Sequence, residues 1–347
     1  MKRSQMELTE LLVTGFFKEP NHTDREGLFR RCLFDFCGLV SESFLMKPLI
    51  FLLFVTAFST LVAAQDCLTN AKVPPDQQVP ESVRLEYSRN LEIAARNYAA
   101  EPTADNLIWY ARRKGYLGKY KDAIESLTIG IEKFPNDARM YRHRGHRFIT
   151  VRCFDDAIRD FEHAAKLIKG KQDEVEPDGL PNANNIPTST LQSNIWYHLG
   201  LAYYLTGDFK KAKEAYEKCQ RVSKNSDMHV ATTYWQYMTL RRLGAKGEAT
   251  KLLNRFDTKV KVIENHDYLR LLMLNKGEMK ADDLLATIGG EAKTLGSASL
   301  GYGIGNYFLY NGDKEKAAGV FRKIVAGDQW ASFGYIAAEA DLARLGK

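Results

Sequence analysis

Between Trp196 and Cys219 the chain reads WYHLGLAYYLTGDFKKAKEAYEKC, a helix, a turn and a second helix written in sequence. Trp196, Leu199, Gly200 and Tyr203 recur at i, i+3, i+4 and i+7, the spacing that gathers them on one helix face. Gly207 breaks the pattern, and Asp208 is placed to cap the second helix. Phe209, Ala212, Tyr216 and Cys219 form the stripe of that second helix, turned back on the first. Gly200 and Ala212 are small, so the two backbones can approach closely while the rings fill in around them.

With Ser193 as position 1, positions 4, 7, 8, 11, 15, 20 and 24 match W-x2-L-G-x2-Y, then Gly, then A-x3-F, or an aromatic equivalent. The stretch therefore resembles the tetratricopeptide repeat (TPR), which recurs with a period of about 34 residues. Laid along the chain, the same template puts Ala123, Ala157, Ala212, Ala249 and Ala317 at position 20. It predicts repeats at about 104–137, 138–171, 193–226, 230–262, 263–297 and 298–331. Lys114 stands where the first repeat should have an aromatic, and Arg152 where the second should have its turn glycine. The fifth is the most degenerate, and its register is open by one residue. Residues 169–192 are an insertion rich in Pro, Asn, Asp and Gly, expected as a mobile loop too polar to pack. Residues 65–103 form a lead-in followed by a helix from Pro80 to Ala100. A last amphipathic helix, 330–346, is expected to cap the array with its polar side. The fold class that the resemblance implies is all-α: a right-handed superhelical solenoid of about six helix–turn–helix units over 104–347.

Composition agrees with a large packed core: of 347 residues, 45% are hydrophobic and 11% aromatic. The formal charge of +6 is mild and forms no block, so nucleic acid is not implied as a partner. Met46-Lys47 is followed by the apolar run PLIFLLFVTAFSTLVAA, with Val62 and Ala64 at −3 and −1 of a cleavage point before Gln65. Residues 46–64 thus read as a secretory signal peptide, and the expected location is exported, periplasmic or extracellular. A membrane helix is the competing reading, but the run sits at the lower length limit and lacks a basic flank behind it. Cys67 follows Gln65-Asp66, which is not a lipoprotein signal. Residues 1–45 have no sustained period and read as an over-long start before Met46, or an extended leader. In the exported part Cys67, Cys153 and Cys219 form an odd set without zinc spacing. Cys219 takes a packing position; whether Cys67 pairs with Cys153 the sequence leaves open.

Motifs for chemistry fail on inspection. GYGIG at 301–305 lacks dinucleotide spacing and falls inside a first helix, where small residues let helices pack. His143 and His146 have cationic neighbours and no carboxylate or Cys beside them, which argues against a metal. No nucleophile or zinc-protease pattern occurs, so no cofactor and no enzymatic activity are expected.

The arrangement of a signal, repeats, a degenerate pair and a well-formed last repeat also resembles bacterial envelope TPR adaptors, apart from the missing lipid-attachment motif. That implies a non-enzymatic scaffold binding a protein or peptide in its concave groove. An accessory role on envelope polysaccharide or peptidoglycan is the alternative. In TPR folds, positions 2, 5, 9, 12 and 13 of the first helices face the ligand. They fall here on Arg112 and Tyr116, on Arg139, Arg142 and His146, and on Tyr197 and Tyr204. Tyr234 and Arg241, then Tyr302, Asn306 and Tyr310, continue the series. A cationic floor beside a tyrosine-rich wall suits an acidic, partly aromatic peptide. The oligomeric state leaves no mark in the sequence.

Overall fold

The computed structural model describes residues 67–74, 81–290 and 296–346. The signal segment 46–64, its cleavage point and the stretch before it lie outside those residues. A lone helix, α1 (Glu81–Ala100), is followed by hairpins α2/α3 (Ala104–Tyr116, Tyr120–Lys133) and α4/α5 (Ala138–Thr150, Phe154–Leu167). Next come α6/α7 (Leu191–Thr206, Phe209–Val222) and α8/α9 (Ser226–Arg242, Lys246–Arg255). The array ends with α10/α11 (His266–Lys276, Ala281–Thr287), α12/α13 (Ala298–Tyr310, Lys314–Val325) and a final helix α14 (Phe333–Arg344). Every helix except α10 packs on the next in sequence, and each first helix also touches the first helix of the following hairpin, which makes a solenoid. Among the described residues there is no named strand, and no helix is long and apolar enough to cross a membrane.

Local chemistry explains the hairpins. The side chains of Thr103, Asp137, Thr190, Asn225, Ser297 and Ser332 cap six helices by accepting a backbone N–H of the first turn. Gly118, Gly207, Gly244, Gly277 and Gly312 end first helices in the left-handed conformation that glycine adopts without strain. Arg152 occupies that same turn in the second hairpin with φ +67°. Inside the hairpins the small residues sit under rings: a Cβ on Gly145 would lie 2.9 Å from Phe161, and one on Gly200 2.8 Å from Tyr216. The same relation holds for Gly305 and Phe321, at 2.5 Å. A Cβ on Gly303 would collide with Leu271 and Tyr234, so the glycines of GYGIG serve helix packing. Burying each such ring or Leu contributes about 1.5–3 kcal/mol.

Three features depart from expectation. The fourth hairpin begins at Ser226, because Asn225 supplies a cap there, and not at 230. The last helix, α14, packs on α12 and α13 at the end of the array, but only part of its polar side faces solvent, at Arg344 and Glu339. Asp341 is fully buried, and α14 runs on to touch α6 in the third hairpin. The insertion is not a detached loop either: an isolated antiparallel bridge joins Val175 to Thr190, and Glu176 and Thr188 are buried. Polar segments can pack when their acids and amides find partners, as Glu176 and Thr188 do. At the other end Cys67, in a single helical turn at 67–70, is bonded to Cys153, the residue before α5. Cys219 is free and buried.

Candidate partner-binding groove

The first helices α2, α4, α6, α8 and α12 carry all twelve candidate groove residues, but the structure divides them into two groups. Five of them, Tyr197, Tyr204, Tyr234, Tyr302 and Asn306, are buried and face no open groove. The reason is occupancy: α14 lies against the surface that Tyr204, Tyr302 and Asn306 would have presented. The Tyr302 hydroxyl sits 2.8 Å from that of Tyr204 and 2.9 Å from the Asp341 carboxylate. Asn306 Nδ2 donates to the Tyr204 hydroxyl at 2.7 Å, and Arg242 pairs with Asp341 at 2.8 Å. Arg344 donates to the Tyr204 carbonyl at 3.0 Å. Tyr234 stacks on Tyr268, with ring centroids 5.6 Å apart, beneath Gly303. Burial raises the Tyr204, Tyr234 and Tyr302 phenols above their usual range, so all three stay neutral. Arg241 and Tyr310 are half-buried and engaged with each other: the guanidinium lies 4.2 Å from the ring centroid and donates to Asn311 at 2.7 Å.

The second group, at the N-terminal end, keeps its basic character. Arg139 is committed to its own helix cap and the preceding repeat, pairing with Asp137 at 2.6 Å and also with Asp105. Arg142 is buried and binds Glu176 of the insertion at 2.9 Å. Arg112 and Tyr116 remain partly exposed; Arg112 donates to the Pro177 carbonyl at 2.9 Å. His146 lies 4.8 Å from the His198 ring and 5.4 Å from Phe333 at the start of α14. Burial holds His143, His146 and His198 well below the ordinary histidine range, with Arg142 and Arg147 adding to the effect. The neutral rings fit their partners: His143 Nδ1 accepts from Arg142 at 3.0 Å and Nε2 lies 3.5 Å from Glu176. No metal set forms at the histidines among the described residues, and the Cys67, Cys153 and Asp156 cluster has its sulfurs bonded to each other.

Four residues join this surface that are missing from the series read off the sequence: Trp109, Arg113, Arg147 and Asn194. Arg112 and Arg113 lie 4.3 and 5.0 Å from the Trp109 ring centroid, a cation–aromatic patch on α2. Arg147 is placed against Gly115 and donates to His146 Nδ1 at 2.7 Å. Asn194 donates to Glu176 at 3.0 Å. Asn194 was legible, since it stands at ligand-facing position 2 of the third repeat. The run WYARRKGY at 109–116 carried a weaker signal in its density of rings and charges.

The sequence profile of the tetratricopeptide repeat matches residues 193–226. No curated protein matches the sequence. Among solved structures the chain is similar to YrrB, described as a TPR protein with an unusual peptide-binding site. That similarity is 15% identity and a TM-score of 0.39, covering 72% of this chain and 98% of that one. It is also similar to a tetratricopeptide repeat protein from Parabacteroides merdae ATCC 43184, at 15% identity and a TM-score of 0.42. Here 79% of this chain and 98% of the other are covered. Residues 193–226, which fold as the α6/α7 hairpin, are a tetratricopeptide repeat set in a helical solenoid.

Proposed function

We propose that this chain is a non-enzymatic interaction scaffold of the bacterial envelope, binding an acidic segment of a partner protein at the N-terminal end of its concave face. The observation that carries the reading is the convergence of three arginines on one acidic segment, Arg142 on the Glu176 carboxylate and Arg112 and Arg113 on the Pro177 and Gly179 carbonyls, with Trp109 and Tyr116 beside them. Guanidinium groups bind carboxylates through directed, charge-assisted hydrogen bonds, and the flat rings add contact area at low entropic cost. The C-terminal part of the groove is assigned no partner, because α14 already fills it.

Export is supported by the apolar run that ends at Ala64 and by the Cys67–Cys153 disulfide, a bond that persists in oxidising compartments. Intact-mass measurement on protein from the native host should give a chain beginning at Gln65; a mass retaining Met46 rules export by this route out.

Pull-down from envelope extract tests the scaffold reading. Replacing Arg112 and Arg113 together by Ala should weaken partner capture at least tenfold, or about 1.4 kcal/mol. Raising the salt should shrink the difference, since exposed charges are screened over about 8 Å at physiological ionic strength. Equal capture by both proteins removes this surface from the function. Retention on insoluble cell wall instead of capture of a protein would move the assignment to polysaccharide.

A further inference from the structure

A segment of the chain itself already sits on the basic floor. Building on the scaffold reading above, we propose that Glu174–Leu180 is an internal competitor. It is an acidic strap lying in the partner's seat, and the partner's contact segment shares its chemistry: an extended stretch with a buried carboxylate followed by a glycine.

The seat is made for a carboxylate. Glu176 receives Arg142 at 2.9 Å on one oxygen and Asn194 at 3.0 Å on the other, from two neighbouring first helices. The backbone beyond it is read as well: the Pro177 carbonyl accepts from Arg112 at 2.9 Å and the Gly179 carbonyl from Arg113 at 3.2 Å. A Cβ at Gly179 would collide with the Tyr116 hydroxyl, so with Tyr116 in this position the seat takes glycine there. A carboxylate, two carbonyls and a bare Cα are features any extended peptide of this kind could supply.

The strap is held by polarity rather than by burial of apolar surface. It hides Glu176 and Gly179 while Val175 and Leu180 stay 66% and 55% exposed. A loop that merely sealed the solenoid would turn these side chains inward. The fit is also incomplete. Arg142 Nε and Asp178 Oδ2 are buried without a hydrogen-bond partner, and a buried polar atom left unpaired opposes the state that buries it. Burial raises the Asp178 carboxyl, and the charge of Glu264 adds to it. The seat is crowded with charge too: Arg142 pairs with Glu176, and Arg112 acts on both Arg142 and Asp178. A ligand with a second well-placed acid would satisfy groups that the strap leaves unpaired.

The probe is a labelled synthetic octapeptide, DEVEPDGL, copying Asp173–Leu180. One protein is the intact chain; a second has residues 174–180 replaced by Gly and Ser at equal length. Fluorescence anisotropy should show the peptide binding the replaced variant at least tenfold more tightly than the intact chain. Adding Arg142→Ala to the variant, or Glu→Gln at the peptide position matching Glu176, should remove most of that binding. A replaced variant that melts cooperatively yet binds the peptide no better than the intact chain overturns the proposal. If the replacement fails to fold, limited proteolysis of the intact chain gives the answer. Millimolar peptide should speed cleavage between 174 and 188 severalfold, and an unchanged rate overturns the proposal. Partner capture separates this inference from the scaffold reading. A partner that the intact chain captures, but that the octapeptide does not compete away, leaves that reading standing and sinks the strap.

Discussion

The Arg152 guanidinium lies over Trp330, 3.7 Å from the ring centroid, and so joins the turn of the second hairpin to the lead-in of the last helix. The same side chain pairs with Glu339 of α14 at 2.7 Å and donates to the Trp330 carbonyl at 2.9 Å. It does this from a left-handed backbone, φ +67°, at a turn where five other hairpins use glycine. A left-handed non-glycine residue costs about 1–2 kcal/mol. Strain at this turn is offset by anchoring α14 across the groove.

Two substitutions at this position should therefore differ. Arg152→Ala keeps the strained turn and loses the anchor, and should cost about 2 kcal/mol of unfolding free energy. Arg152→Gly loses the anchor but relaxes the turn, and should be about 1 kcal/mol less damaging. Urea denaturation of both proteins checks the order; an Ala variant at least as stable as the Gly variant refutes the strain.

Glycines inside the helices offer a paired test of the packing. Gly200→Ala drives a methyl to 2.8 Å from the buried Tyr216 ring and should destabilise the chain by about 1–3 kcal/mol. Gly319, within α13, has nothing within 4 Å of an added Cβ, so Gly319→Ala should stabilise by about 0.5–1 kcal/mol. Thermal melts that shift in the same direction for both would contradict the hairpin geometry.

The buried histidines predict acid sensitivity. His198 is held down to about 3 by burial, with Arg142 and Arg147 adding to it, against about 6.5 in the unfolded chain. The unfolded state takes up the proton first, so this contribution is complete above pH 6.5 and is lost as pH falls toward 3. The slope is up to about 1.4 kcal/mol per pH unit for one such group. Denaturation curves between pH 7 and 4.5 should show His198→Gln with a shallower pH dependence than the unsubstituted chain. An unchanged slope would mean His198 is not buried neutral.

The Cys67–Cys153 bond closes a loop over a sequence separation of 86. On chain-entropy grounds its removal costs about 4–5 kcal/mol. Cys67→Ser with Cys153→Ser should lower the melting temperature markedly and expose residues 67–74 to protease before the helices; equal melting of both forms would show the bond to be structurally idle.

The sequence by itself determined the hairpins. Apolar spacing, a glycine turn and a small residue opposite a ring are all contained within one repeat, so Gly200, Gly207 and Tyr216 suffice to specify how α6 meets α7. The helical solenoid is their consequence, because hairpins of this kind bury their remaining apolar faces only against neighbours. Arg152 stood out as an exception to the turn rule, but the reason for it lay in Trp330 and Glu339. Only the tertiary structure decided which concave residues stay open. Tyr204 and Tyr302 hold the ligand-facing positions of their repeats, yet Asp341 and Arg344 reach them from the far end of the chain. Arg142 is likewise closed over by Glu176 from the insertion, and Cys153 found its partner in Cys67. Contacts of this range leave no period in the sequence, since they depend on how far the solenoid curls and on what space its inner face leaves to be filled.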